Sequence, residues 1–393
     1  MPWKISDEAE QRWRFLQDWL RGKTAVAELC RRYGISRKTA YKWIARFKVE
    51  GKRGLSNQRR AAARVHNRPG ASWLARIRRW RTRHPRWGAR KLHWALRRRF
   101  RADDVPSPAA IGRWLNAWHL SRKPKRRPRR GSGIERPKLT SATKPNEVWS
   151  VDFKGWFRTA DGTRIEPLTV RDMATRYIVA VELIRSERLS DTRAAFTRIF
   201  RDYGLPEAMR VDNGCPFGAA GALGLTQLSA WWVKLGIRVE FIAPGRPDQN
   251  GAHEQMHRVY KDEIATPPAP TVRAQKQRTQ RWRHLYNHVR PHESLAMRCP
   301  AEFYRKSPRK MPATLPPWRY PPSWESRLVK GKGMISLLGQ GRFVGEAFEH
   351  ERVGLKRNAT GWEVYFGPLL IGELRANENS GIHAAWLRQR SRH

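Results

Sequence analysis

Three acidic residues stand where an α/β fold can bring side chains together. Asp152 and Asp212 each lie at the end of a short apolar stretch that is typical of a strand, and Glu254 lies early in a stretch with helical spacing. Carboxylates that gather at one site repel one another, which raises their pKa values. Divalent Mg²⁺ relieves this repulsion, and two ions about 3.5–4 Å apart clamp the attacking and leaving oxygens of a phosphoryl transfer. The three residues therefore predict a metal-dependent phosphoryl-transfer site.

The region around these acids alternates between strand and helix patterns. Strands are predicted at 147–153, 177–183, 208–212 and 238–242, and helices at 192–203, at 225–235 and from about 251 past 260. Such alternation is typical of an α/β sheet that carries functional residues at its strand ends. We therefore predict a central α/β domain at 140–310.

Four sequence blocks of this domain resemble those of DDE transposases and retroviral integrases. They are Trp-Ser-Val-Asp-Phe-Lys-Gly at 149–155, Val-Asp-Asn-Gly at 211–214, Pro-Gly-Arg-Pro-Asp-Gln-Asn-Gly-Ala-His-Glu at 244–254, and a closing segment at 286–302 that resembles bacterial insertion-sequence transposases. The resemblance covers about 140–306 and implies a ribonuclease-H-like fold. It assigns the catalytic and metal-binding roles to Asp152, Asp212 and Glu254. The segment between the last two acids is longer than in many members, and 217–224 is interpreted as a small flexible insertion.

The resemblance also implies a reaction. Asp152 is expected to bridge two Mg²⁺ ions, with Asp212 on one and Glu254 on the other, and Mn²⁺ is expected to replace Mg²⁺. Water first frees a 3′-OH at an end of the element, and that 3′-OH then attacks target DNA. This route needs no serine or tyrosine nucleophile. The expected enzyme is a DDE transposase that works as a homo-oligomer, because two element ends must be cut and joined together.

Other interpretations of the same residues remain open. Each acid also fits an ordinary role at a strand end, in a turn or in the first turn of a helix. His253-Glu254-Gln-Met-His257 is a literal H-E-x-x-H, the zinc-protease signature, although no third ligand is obvious. We expect instead that His257, Arg258 and Lys261 face DNA phosphates. The rival functions are a catalytically inactive DNA-binding regulator derived from a transposase, and a zinc metalloprotease.

The composition favours a nucleic-acid partner. The 393 residues include 80 Lys and Arg against 34 Asp and Glu, which gives a formal net charge of +46. The sequence shows no apolar run that could span a membrane, no signal peptide, and only three cysteines that lie far apart. The expected partner is double-stranded DNA, at both the element ends and the target, without a membrane. The expected location is the bacterial cytoplasm, in association with the nucleoid.

The N-terminal region, 1–60, predicts a helix-turn-helix domain. An apolar helix face ends at Gly34, and Ser36 is suited to cap a second helix from residue 37 to about 47. The second helix of such a motif fits the DNA major groove. The alternative is a pair of core helices in any small bundle. The predicted DNA-binding residues of this helix are Arg37, Lys38, Thr39, Lys42 and Arg46.

Two further basic segments follow along the chain. A second helical DNA-binding domain is predicted at 61–122, where a basic spacer that acts only through its charge is the alternative. A basic linker is predicted at 123–139, because its prolines and glycines cannot build a packed core. Arg126 and Arg127 of the linker are expected to contact DNA phosphates.

The C-terminal region, 323–393, carries strand signals after a proline-rich break. Trp362, Val364 and Phe366 alternate with more polar residues, which predicts a strand with one buried face. The region resembles the small SH3-like β-barrel that follows some integrase-type cores, and a generic β domain with an assembly role is the alternative. The predicted fold is therefore multidomain: N-terminal all-α helix-turn-helix units, a central α/β ribonuclease-H-like catalytic core and a C-terminal small β-barrel.

Overall fold

A computed structural model describes residues 8–57, 70–121, 139–243 and 247–384. The chain divides into two compact units, Met1–Arg68 and Pro69–His393. Most of the predicted basic linker, including Arg126 and Arg127, lies outside the described residues. In the described parts of the chain, we find no helix with both the length and the apolar character that crossing a bilayer requires.

The first unit contains three helices that end in a short 3-10 turn. They are α1 Glu8–Leu20, α2 Val26–Tyr33 and α3 Arg37–Glu50, followed by the turn Gly51–Leu55. Gly34 ends α2 with a φ of 63°, in the left-handed region that favours glycine. The Ser36 hydroxyl caps α3, because it accepts a hydrogen bond from the backbone N–H of Thr39 at 3.2 Å. The turn and the cap are therefore as the sequence predicts.

The core of this unit joins all three helices. Phe15, Leu29, Ala40, Trp43 and Ile44 are buried within one apolar cluster. Trp43 is thus a core residue of α3, whereas Phe47 of the same helix is only partly buried and packs at the edge of the cluster.

The second unit begins with three more helices. These are α4 Ala71–Arg83, α5 Ala89–Arg97 and α6 Pro108–Ala117. The Ser107 hydroxyl caps α6 by accepting from the backbone N–H of Ala110, and Pro108 occupies the first turn, where its missing N–H costs no hydrogen bond. The shared core contains Ile77, Trp87 and Leu92, among others, and Val289 from much further along the chain packs against it.

A mixed six-stranded sheet forms the centre of the second unit. Its strands are β1 Val148–Phe153, β2 Phe157–Arg158, β3 Arg164–Asp172, β4 Ile178–Ile184, β5 Ala208–Val211 and β6 Arg238–Phe241. The spatial order is β4–β3–β1–β5–β6, and β2 pairs with the beginning of β3. β3 runs antiparallel to β1 and β4, whereas β5 runs parallel to β1 and β6. Helices α7 Leu189–Tyr203 and α8 Gln227–Lys234 connect β4 to β5 and β5 to β6, so the predicted alternation of strands and helices in a central α/β core is confirmed.

The two faces of this sheet differ in chemistry. Trp149, Val151, Leu168 and Val170 face α7 and α8 and are buried among apolar side chains. Because successive side chains of a strand point to opposite faces, the residues between them point the other way. Helix α9 Gly251–Tyr260 covers that second face, continues into a π-helical turn Lys261–Ala265, and precedes helix α10 Val272–His288. Ser150 of β1 and Thr169 of β3 therefore lie under α9, where each contacts His253.

The C-terminal region forms an antiparallel sheet and a hairpin. Its strands are β7 Glu325–Leu328, β8 Met334–Leu337, β9 Gln340–Phe343, β10 Arg352–Arg357, β11 Gly361–Phe366, β12 Leu369–Arg375 and β13 His383–Ala384. Five of them pair in the order β13–β12–β11–β10–β7, and β8 pairs with β9. Within residues 323–384, no pairing joins β7 to β13, so the predicted closed barrel is not seen.

Neighbouring segments, rather than closure, cover the buried face of this sheet. Val364 and Phe366 are fully buried, as the alternation predicts, in a cluster that also contains the β8–β9 hairpin. The same cluster includes Leu225 and Val233, which belong to the central α/β domain. Segment 217–224 was interpreted as a flexible insertion, yet Ala222 within it is buried in this cluster. The insertion therefore joins the core to the C-terminal sheet.

Candidate active site

The three predicted acids converge on one end of the central sheet. Asp152 lies near the end of β1, and Asp212 directly follows β5, which is the parallel neighbour of β1. The carboxyl ends of parallel neighbours meet at the same sheet edge, so the two side chains emerge side by side. Glu254 lies in the first turn of α9, and its charge acts on Asp152. Asp152 and Glu254 are half-buried, and Asp212 is exposed.

The raised pKa of Asp152 shows that the other two acids lie near it. Burial is the largest cause that raises the pKa of Asp152 to about 7, and the charges of Asp212 and Glu254 raise it further. The backbone N–H of Phe153 and the charge of Lys154 oppose this rise. Burial also raises the pKa of Asp212. Three oxygen-donor side chains whose ionised forms repel one another fit divalent Mg²⁺, because the ion removes that repulsion.

Asn250 helps to orient the Asp152 carboxylate. This residue is buried at the start of α9, and its amide Nδ2 donates to Asp152 Oδ2 at 3.5 Å. The Oδ1 atom of Asn250 has no hydrogen-bond partner among the described residues. The Asn-Gly step that marks the helix start in the sequence thus also contributes a side chain to the site.

Two histidines lie beneath the acids in a closed hydrogen-bond network. The Thr169 hydroxyl donates to the backbone carbonyl of Asp152 at 2.8 Å, and it also contacts Nε2 of His253 at 2.6 Å and Nε2 of His257 at 2.7 Å. Since Thr169 has a single hydroxyl proton, both imidazoles must donate their Nε2 protons to its oxygen. Nδ1 of His253 then accepts from the Ser150 hydroxyl at 2.8 Å. Burial holds both imidazoles neutral, with the pKa of His257 lowered to about 3.

This network bears on the H-E-x-x-H interpretation. Among the described residues, the candidate metal ligands whose atoms lie within 4.8 Å of one another are those of Asp152, His253 and His257. Both ring nitrogens of His253 are already used in hydrogen bonds, so it has no lone pair left for zinc. The expectation that His257 faces DNA phosphates is wrong, because the residue is only 8% exposed and its ring points down to the sheet.

Sequence reasoning missed two further acids, Glu187, which lies near Asp212, and Glu166, which lies near Glu187. The pKa of Glu187 is raised to about 7, first by burial and then by the proximity of Glu166 and the charge of Asp212. Glu166 is buried on β3, where Arg164 pairs with it at 2.5 Å. Glu187 lies in the run Arg-Ser-Glu-Arg at 185–188, which has the composition of an ordinary solvated loop. Nothing in that run signals a site.

The predicted DNA-binding residues near the acids lie on α9 and the turn that follows. Arg258 and Lys261 are both exposed. Burial is the largest cause that lowers the pKa of Lys154, and the charge of Lys261 lowers it further. Lys154 in turn affects Asp152, so these cations lie close to the acids. A DNA phosphate that reached the acids would meet positive charge beside them.

The predicted recognition helix is α3 in the first unit. Arg37, Lys38 and Lys42 are exposed, as expected of a surface that contacts DNA. Thr39 and Arg46 are half-buried, and each has a local contact. The Thr39 hydroxyl lies 2.9 Å from the Ser36 hydroxyl, and the Arg46 guanidinium lies 5.2 Å from the ring centroid of Trp43.

Family models match both the central sheet and the helices that precede it. Residues 142–247 and 235–300 match the family described as Integrase core domain. Residues 11–63 match the Helix-turn-helix domain, and residues 39–115 match the Homeodomain-like domain. These matches confirm an N-terminal helix-turn-helix region and a central integrase-type, ribonuclease-H-like α/β core.

Two curated relatives are proteins of bacterial insertion elements. The uncharacterized 31.7 kDa protein of insertion element IS407 from Burkholderia multivorans is 33% identical over 185 residues, which cover 46% of this chain and 64% of the relative. The uncharacterized 39.2 kDa protein of IS476 from Xanthomonas euvesicatoria is 34% identical over 176 residues, which cover 43% of this chain and 47% of the relative. The chain thus spans less than two thirds of the length of either relative.

Solved structures of viral integrases are more distant. The HTLV-2 integrase catalytic core domain in complex with magnesium covers 41% of this chain and 98% of its own, at 14% identity and a TM-score of 0.33. The simian T-cell lymphotropic virus intasome in complex with PP2A regulatory subunit B56 gamma covers 77% of this chain and 100% of its own, at 14% identity and a TM-score of 0.37. Both TM-scores are low, so the fold assignment depends on the family matches and the sheet itself.

Proposed function

The chain has the integrase core domain and the helix-turn-helix domains of an insertion-element transposase, and we propose that it cuts DNA at element ends and transfers the freed 3′-OH strand into target DNA. The observation that carries this proposal is that Asp212 and Glu254 lie close enough to Asp152 for their charges to raise its pKa, with Asp152 and Asp212 at the ends of adjacent parallel strands. Phosphoryl transfer by such a site requires positioning and charge stabilisation rather than a protein nucleophile.

The three acids would hold the metal. The carboxylate oxygens of Asp152, Asp212 and Glu254 would hold two Mg²⁺ ions, and Mn²⁺ would replace Mg²⁺ there. When bound, the ions would stabilise charge on the attacking and leaving oxygens. Asn250 orients Oδ2 of Asp152, and Thr169 fixes its backbone carbonyl. Both contacts hold the carboxylate in one place before DNA arrives.

The remaining parts of the chain would bind DNA and assemble the complex. We propose that α3 reads element ends in the major groove through Arg37, Lys38, Thr39, Lys42 and Arg46. DNA phosphates would be contacted by region 61–122, by the linker 123–139 with Arg126 and Arg127, and by Arg258 and Lys261. The proposed domains are 1–60, 61–122, 123–139, 140–310 and 323–393. Two ends must be processed together, so the working form is a homo-oligomer.

The direct test is a cleavage and joining assay. The full chain is incubated with a labelled duplex that carries the repeats flanking its own element, with Mg²⁺, with Mn²⁺ or with chelator. We expect 3′-end cleavage and joined products with either metal, and none with chelator or with Asp212→Asn. Strand transfer by Asp212→Asn at the wild-type rate would contradict the assignment. Specific end binding without any cleavage in either metal would identify the inactive regulator instead.

A further inference from the structure

A cavity of about 250 Å³ lies beside the candidate active site, on the same side of the central sheet. Arg171 of β3 contributes to its wall, two residues beyond Thr169, and Gln255 and Val259 of α9 line it from above. Lys91 of α5 and Arg290, which follows α10, complete the wall. We call this space the basic cavity. None of its basic residues has a role in the metal site proposed above.

Positive charge dominates the wall of the basic cavity. Four basic side chains line it, those of Lys91, Arg171, Arg176 and Arg290, and the only acid among the lining residues is Glu293. Glu293 is exposed and pairs with Arg90, which is outside the lining, at 3.7 Å. The cavity therefore keeps a strong excess of positive charge.

The Arg171 guanidinium has no partner in this charged space. Arg171 is only 1% exposed, and its Nε, Nη1 and Nη2 atoms all lack a hydrogen-bond partner among the described residues. Burial is the largest cause that lowers the pKa of Arg171, to about 10, so the group still carries its charge at neutral pH. A buried cation without hydrogen bonds is costly, which makes this an unusual arrangement for a chain to keep.

Arg290, which also lines the cavity, repeats the pattern. It is 6% exposed, and its Nε and Nη1 atoms lack hydrogen bonds. Glu263 forms an ion pair with it, with Oε1 at 3.6 Å from Nη1, but this distance is too long for a hydrogen bond. Nε2 of His292, also in the wall, has no partner either. Unpaired polar atoms from two separate segments, β3 and residues 290–292, thus meet in one cavity.

Water alone does not balance this site, since it can accept the hydrogen bonds but cannot neutralise the charge. A tetrahedral oxyanion does both, because its oxygens accept several N–H donors and planar guanidinium groups match phosphate geometry. The volume is several times the roughly 30 Å³ that one water molecule occupies in the liquid, so an anion fits together with some water. We propose that the basic cavity is a binding site for a phosphate-class oxyanion. The bound anion would contact β3, α5 and the segment of Arg290, beside helix α9.

The anion has two possible sources, a free phosphate ion or a backbone phosphate of DNA, and one experiment addresses both. The unfolding temperature of the full chain is measured in increasing sodium phosphate against sodium chloride at equal ionic strength and pH. We expect a saturable rise that is specific to phosphate. Arg171→Met should weaken the apparent affinity about tenfold or more, because it removes charged hydrogen bonds. In chloride, the same variant should unfold at or above the wild-type temperature, because it removes an unpaired buried charge.

Two companion variants keep the test sharp. Lys91→Gln changes a cavity residue on a different element, α5, and should also reduce the phosphate response. This variant tests the proposal if Arg171→Met folds poorly. Arg185→Met removes one exposed charge outside the cavity and should leave the response intact.

Binding of a short duplex by Arg171→Met and Arg185→Met then separates the sources. Weaker duplex binding by the first variant alone, with competition by inorganic phosphate beyond the effect of ionic strength, identifies a DNA phosphate. Equal duplex binding with a lost phosphate response identifies the free ion. A wild-type response to phosphate no larger than to chloride, with equal duplex binding by both variants, would overturn the proposal. None of these readouts depends on strand transfer, so the proposed function stands or fails separately.

Discussion

The Asp152 side chain keeps 27% of its surface exposed, and its pKa of about 7 stands well above the ordinary value of 3.8. Between about pH 4 and pH 7 the folded chain therefore holds a proton that the unfolded chain releases. Stability is lost as the pH rises through this window, and it stays low above pH 7. Because Asp152→Asn removes the charge, we expect it to stabilise the metal-free chain more at pH 8 than at pH 5. At about 1.4 kcal/mol per pKa unit, the gain at pH 8 is on the order of 2–4 kcal/mol.

Urea unfolding in chelator at both pH values measures this gain. Added Mg²⁺ provides the matched comparison, since it should stabilise the wild type at pH 8 and leave Asp152→Asn nearly unchanged. If the variant gained equally at pH 5 and pH 8, the charge of Asp152 would not be the source of the effect.

Thr169 is a positioning residue, because it acts on the site through Asp152. Thr169→Val leaves two buried imidazole N–H groups without an acceptor, which should destabilise the chain by about 1–3 kcal/mol. It also frees the Asp152 carbonyl, so we expect a lower rate of strand transfer with unchanged DNA affinity. Thr169→Ser keeps the hydroxyl and should restore both properties. A serine variant as slow as the valine variant would mean that the methyl group, not the hydroxyl, matters.

The site residues differ in how far the sequence could reveal them. The positions of Asp152 and Asp212 at neighbouring strand ends and of Glu254 at a helix start were predictable, because these elements have recognisable sequence patterns. The inward direction of His257 was not, since helical spacing does not say which face of α9 meets the sheet. Glu187 was not either, because only the folded chain brings it near Asp212.

Among the elements, β3 was missed, although it is the longest strand of the central sheet. It contains Pro167 and several polar residues, which usually argue against a central strand. All but its first residue are nevertheless buried, because apolar helices cover one face and the polar underside of α9 covers the other. Thr169 and Arg171 belong to that second face. Alternation of apolar and polar residues identifies a strand with one solvated face, and β3 has none.

A second consequence for a single element concerns how helix α3 contacts DNA. Lys42 is exposed in the middle of the helix, where a side chain can reach base edges when the helix enters the major groove. Lys42→Ala should reduce the preference at one or two base pairs by roughly 1–3 kcal/mol. Lys48→Ala, near the end of the same helix, is the control that should lower affinity for all sequences alike. Salt titrations with specific and scrambled duplexes measure both, and a uniform loss from Lys42→Ala would place it on the backbone.

For the whole molecule, the boundary between the two compact units predicts where the chain can be cut. The helices α4 to α6 share a core with Val289, and Arg86 pairs with Asp262 of the central domain at 2.6 Å. A fragment of 69–393 should therefore unfold at the temperature of the full chain and lose most end-specific binding. A fragment of 126–393 should unfold at a lower temperature, because Val289 loses its apolar partners. Calorimetry of the two fragments compares them, and equal unfolding temperatures would show that the helices contribute no stability to the core.

The apolar cluster that Leu225 and Val233 share with the C-terminal sheet has a genetic consequence. A frameshift near codon 320 leaves every codon for the three acids and for α3 intact. The truncated protein nevertheless loses the strands that cover Leu225 and Val233. The apolar surface that is then exposed favours aggregation. We expect such a damaged copy of the gene to yield insoluble protein instead of a lasting competitor for DNA ends. Selection for a folded protein should therefore also preserve the codons for the C-terminal sheet.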